Sequence, residues 1–168
     1  SIRRHARRGN VEDQFHVGAA YADGRGVKQD WSEAIKWFRQ AAQAGHPEAQ
    51  FKLATAYATG QGVDKNLTEA AQWFRKTAAQ GHIKAQLYLG LAYFEGHGVE
   101  KSDKEAIAWL EKAAQQGVVQ AQVSLGLAFA VGRGVAKDFS KAAEWFRRAA
   151  ERENAQAQFN LGTLFEKG

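Results

Sequence analysis

Shifted by 36 residues, the sequence falls into register with itself without an insertion or a deletion. Gln14, Gln50, Gln86, Gln122 and Gln158 share a column; so do Tyr21, Tyr57, Tyr93, Phe129 and Phe165, and the tryptophans Trp37, Trp73, Trp109 and Trp145. A fixed period of this length marks an array of like units, each covering its apolar face only against its neighbours.

Two helices can be read within a unit. Between Pro47 and Thr59, Phe51, Leu53, Ala54 and Tyr57 recur with helical and not alternating spacing. Pro47 suits a first helical turn, where its missing N–H is no loss. The second helix of each unit starts at Asp30, Asn66, Ser102 or Asp138, all good N-cap residues. In three copies a Glu follows three positions later (Glu33, Glu69, Glu105), the spacing of a capping box. Ala34, Trp37, Phe38 and Ala41 form the apolar stripe of this helix, and Gly45, Gly81 or Gly117 ends it. The fourth copy departs from the pattern, with Lys141 and Glu153 in those columns.

The linking loops, GRGVKQD, GQGVDKN, GHGVEKS and GRGVAKD, have the look of phosphate-binding loops. They lie between two helices and not after a strand, and they lack the Gly-Lys-Ser/Thr ending. Their paired glycines serve to end one helix and reverse the chain, with Val63 and its equivalents tucked under the turn.

Together these columns resemble the Sel1-like repeat, a relative of the tetratricopeptide repeat, over nearly the whole chain. The resemblance implies an all-α fold, a right-handed α-α superhelix of helix-turn-helix repeats. It also implies a role in scaffolding protein complexes through the surface lined by the first helices, and it points to a bacterial, periplasmic or secreted setting. Some relatives carry a disulfide per repeat; this chain has no Cys. The register divides the chain into a second-helix remnant at 1–8, full repeats at 9–44, 45–80, 81–116 and 117–152, and a partial repeat at 153–168. The opening within a second helix, the start at Ser1 and the lack of Met read as a piece of a longer protein.

Columns that stay fixed serve stacking, and columns that vary along one helix face are free for recognition. On the first helices the varying set is Glu12, His16, Ala19 and Asp23, then Glu48, Lys52, Thr55 and Thr59, then Lys84, Tyr88, Leu91 and Glu95. Gln120, Ser124, Leu127 and Val131 come next, and then Gln156, Asn160, Thr163 and Lys167. These faces are expected to form a groove for a partner protein or peptide, with Glu12, His16, Asp23, Lys52, Thr55, Lys84, Tyr88, Leu91, Glu95, Ser124, Leu127 and Val131 as contacts. Tyr88, Leu91, Leu127 and Val131 give the later copies an apolar strip suited to anchoring. Leu91 and Leu127 could equally pack adjacent first helices together. A glycan polymer in the same groove is the alternative ligand, with Tyr88 and the Thr, Asn and Gln side chains as its contacts.

Other classes find little support. Of the net charge of +5, four come from Arg3, Arg4, Arg7 and Arg8, which leaves +1 for residues 9–168. A surface for nucleic acid needs its basic residues spread along a face. No window is apolar enough to span a membrane. No nucleophile, base and orienting group recur together, and His16, His46 and His82 show no metal-ligand spacing, so neither catalysis, metal nor cofactor is expected. His46 and His82 read as caps or solvated residues at the start of a first helix. The Trp column reads as core with each indole N–H locally bonded, and the Gln column as amides bonded to neighbouring backbone. Arg75, Lys76, Arg147 and Arg148 read as an outer solvated face. Phe159, Leu161, Leu164 and Phe165 on the last first helix, with no second helix after them, lead to an expectation of self-association or fraying there.

Overall fold

The computed structural model describes residues 2–167, and the side chains of all of these except 156–158 and 164–167. It is helical throughout: α1 (Ile2–Arg7), α2 (Val11–Asp23), α3 (Trp31–Gln43), α4 (Pro47–Thr59), α5 (Leu67–Ala79), α6 (Ile83–Glu95), α7 (Asp103–Gln115), α8 (Val119–Val131) and α9 (Phe139–Lys167). The helices form two compact units. One holds the chain up to Ala85 together with Gly96–Glu100; the other holds Gln86–Glu95 together with the chain from Lys101 on.

Each second helix starts where its cap predicts. Asp30, Asn66, Ser102 and Asp138 accept from the backbone N–H of Glu33, Glu69, Glu105 and Lys141. The backbone N–H of the cap itself, which a capping-box Glu would accept, is donated instead to Tyr21, Tyr57, Tyr93 or Phe129 of the preceding helix. That bond accounts for the tolerance of Lys141 in the fourth copy, since the Glu is not needed to satisfy the cap. The loop glycines take positive φ, and at Gly62 (φ 75°) a Cβ would also meet the Trp31 carbonyl oxygen at 2.7 Å. A turn and a close backbone approach both require glycine there.

Successive hairpins lock together in the same way within each unit. In the first, Gln50 Nε2 donates to the Ala42 carbonyl, Arg39 Nη1 donates to Tyr57 Oη, and Gly62 sits over Ile35. In the second, Gln122 Nε2 donates to the Ala114 carbonyl and Gly134 sits over Ile107. Gln14 does the same with the Ala6 carbonyl, so Gln14, Gln50 and Gln122 bond backbone as the constancy of their column suggests. Gln158 lies outside the described side chains. The core consists of the constant columns: Val17, Leu53, Leu89 and Leu125 on first helices, and Ile35, Phe38, Phe74, Ile107 and Leu110 on second helices.

Two expectations are corrected. The Trp37 indole Nε1 is buried without a hydrogen-bond partner among the described residues, although a local acceptor was expected. The indole faces of Trp73, Trp109 and Trp145 instead lie beneath Lys76, Lys112 and Arg148, one helical turn on. Residues 155–167, expected as a separate first helix, continue α9 without a break. The chain reverses at Gly9, Gly45, Gly81 and Gly117 with φ between 88° and 94°, but the same column holds Glu153, inside a run of helix-forming Glu and Arg.

Candidate interaction faces

The varying columns of the first helices turn outward in both units: every described member is exposed or half-buried. Gln156 and Lys167 lie outside the described side chains. The chemistry of these faces differs between the units.

In the first unit the face is polar and much of it is already engaged. His46 caps α4, its Nδ1 accepting from the Ala49 N–H at 3.1 Å while its Nε2 lies 3.0 Å from Glu12 Oε1. His82 caps α6 likewise, with its Nδ1 on the Ala85 N–H and its Nε2 2.8 Å from Glu48 Oε1. An imidazole whose Nδ1 accepts carries its proton on Nε2, so each ring donates to its glutamate. Phe15 and Phe51 stack on the two rings at centroid distances of 4.6 and 4.4 Å. The motif ties His46 to Glu12 and His82 to Glu48, in both cases a residue 34 positions back on the preceding first helix. It also argues against a metal at these histidines: a metal on Nε2 needs the proton on Nδ1, where the cap bond requires a lone pair. Among the described residues no group of three or more His, Asp or Glu is placed to hold a metal ion.

His16 lies 3.7 Å from the second oxygen of Glu12. Thr55 and Thr59 turn their hydroxyls back to the carbonyls of Phe51 and Thr55. Asp23 pairs with Arg25, and Lys52 is exposed. Near the start of the chain, Arg3, Arg4 and Arg7 are exposed on α1 and Arg8 in the turn after it, and Arg3 donates to Tyr21 Oη.

The second unit presents an apolar face instead. Leu127 is 57% exposed, Val131 70% and Tyr88 41%, whereas Leu91 is half-buried. Leu91, Phe94, Glu95, Ser124, Leu127, Ala128, Val131 and Arg133 line an open cavity of about 280 Å³. Arg133, which sequence reasoning missed, closes one side. Its guanidinium lies 4.2 Å from the centre of the Phe94 ring, Nε donates to Asp103 Oδ1, and Nη2 donates to the Phe94 carbonyl. The signal for it lay between the two loop glycines, a position that varies as Arg25, Gln61, His97 and Arg133.

The Sel1 repeat model matches at residues 11–46, 47–82, 83–118, 119–154 and 155–168. The chain belongs to the Sel1 repeat family. The crystal structure of c5321, a protective antigen of uropathogenic Escherichia coli strains with an SLR fold, is 38% identical at a TM-score of 0.85 over 89% of this chain. A Sel1 repeat protein from Oxalobacter formigenes is 37% identical at a TM-score of 0.83 over 86% of this chain. The matches span 32% of the first protein and 60% of the second. Cysteine rich protein B of Helicobacter pylori is 28% identical at a TM-score of 0.52, over 55% of this chain and 71% of its own. No curated protein matches. Sel1 repeats form a family of non-catalytic scaffolds that mediate protein interactions. No described helix is long and apolar enough to cross a membrane.

Proposed function

We propose that this Sel1 repeat array is a non-catalytic scaffold that holds a partner protein, as a peptide or a helix, against its first-helix faces. The anchor is the apolar face of α6 and α8. The observation that carries this reading is the open cavity between Leu91, Leu127 and Val131, with Leu127 and Val131 mostly in water and the charged groups of Glu95 and Arg133 at its edge. An apolar recess with a charged rim suits a large side chain of a partner, with rim charges setting its orientation. Tyr88 and Ser124 extend the face. In the first unit, Glu12, His16, Asp23, Lys52 and Thr55 offer polar contacts, of which Lys52 is the freest to adapt. The apolar lining supports a peptide over a glycan, whose hydroxyls need a dense set of hydrogen-bonding partners.

Selection of a displayed peptide library against the chain, with counter-selection against a Leu127→Glu, Val131→Glu variant, tests this. Recovered peptides should share an apolar anchor and bind the variant at least ~30-fold more weakly, as for loss of a hot spot worth about 2 kcal/mol. Peptides that bind both proteins equally would place the interaction elsewhere.

A further inference from the structure

The first half of α9 carries a face that every earlier second helix covers. Ile35, Ala71 and Ile107 are buried, but Ala143 is exposed; Phe38, Phe74 and Leu110 are buried, but Phe146 is 37% exposed. Ala42, Ala78 and Ala114 are buried, but Ala150 is exposed. What covers the column in the first unit is the next first helix, α4, which runs antiparallel along α3 from Gln50 at Ala42 to Gly62 at Ile35. Helix α8 covers α7 in the same way. By register the segment that should cover Ala143, Phe146 and Ala150 is 155–167. In the unbroken helix this segment extends along the axis of α9 and cannot fold onto it. It carries an uncovered face of its own: Leu161 is 54% exposed, where Val17, Leu53, Leu89 and Leu125 are buried.

Folding 155–167 back within one chain needs the left-handed φ that glycine supplies at positions 45, 81 and 117. Glu153 stands there, and a residue with a Cβ is strained in that conformation. A second copy removes the conflict, because the helix stays straight and the covering helix comes from the other chain. We propose that the array pairs with itself by exchanging this segment. Residues 155–167 of each copy lie antiparallel along Ala143, Phe146 and Ala150 of the other, and the helices cross near Asn154. The register supports this crossing. The pairing of residue 50 with residue 42 becomes residue 158 of one chain with residue 150 of the other, which is symmetric about residue 154 and so compatible with a two-fold axis.

Sedimentation equilibrium on the 168-residue chain from low to high micromolar concentration, with circular dichroism on the same samples, tests the exchange. The wild type should have the mass of two chains. Glu153→Gly, which restores the turn, should be monomeric with nearly unchanged helix content. Ala150→Glu, on a surface exposed in the single copy, should also be monomeric and folded. A wild type that stays monomeric throughout would overturn the proposal. So would an Ala150→Glu protein that remains a dimer, or a folded Glu153→Gly protein as dimeric as the wild type, since the contact would then lie on another face.

Discussion

Leu53 in α4 and Leu125 in α8 stand in one column, one in each unit, and both are fully buried. Two residues later the columns diverge. Thr55 bonds its own helix, whereas Leu127 lies mostly in water; at the next turn the pair is Thr59 and Val131. The polar ends of the first unit's faces are largely engaged by its own residues: hydroxyls on their own backbone, Glu12 and Glu48 on the capping histidines. The second unit leaves Leu127 and Val131 mostly in water beside an open cavity. Stacking fixes what faces inward because every repeat must fit the same neighbour. Apart from the glutamates that meet the capping histidines, stacking leaves the outward columns free, so recognition can differ between units that share one fold.

The largest effect expected from breaking this comparison is on the shared core. Leu53→Ala and Leu125→Ala should each cost about 2–5 kcal/mol in chemical denaturation, since both remove a fully buried side chain. A small loss at either site would mean that the units do not pack alike. Leu127→Glu with Val131→Glu addresses the outward columns. Stability should change by no more than about 0.5 kcal/mol per site, because both side chains are exposed, while affinity for selected peptides collapses. A large drop in melting temperature would show instead that these residues hold first helices together.

A smaller effect is expected at the loops. Gly62→Ala should cost on the order of 1–3 kcal/mol, from positive φ and from the approach to the Trp31 carbonyl. Millimolar ATP should leave the wild-type melting curve where it is; a shift would return the loop to phosphate binding. The smallest effects are at the caps. His82→Ala should lose about 1 kcal/mol with its N-cap bond. The same column in the second unit holds Val118, which makes no side-chain cap to α8. Val118→Asn should therefore gain about 1 kcal/mol, whereas an Asn at His82 should be close to neutral. Equal responses at both positions would mean that the histidines owe their place to the Glu and Phe contacts and not to capping.

Up to α8 the helices, their order and their inward faces were legible in the register alone. A 36-residue register with glycines, N-caps and a leucine column leaves one way to arrange each hairpin, because each of these signals acts over a few residues of backbone. It also marked the outward columns, since variation among copies requires no coordinates. It did not show that His46 and His82 spend both ring nitrogens on a cap and a glutamate 34 residues away, nor that Arg133 would close the cavity beside Leu127. Those contacts join residues distant in sequence through the packing of one hairpin on the next. The continuity of α9 lies between the two. Glu153 was visible as a departure from its column, but its consequence emerged only in the tertiary structure. Without a residue that tolerates the left-handed turn, the helix goes straight on and leaves Ala143, Phe146 and Ala150 uncovered.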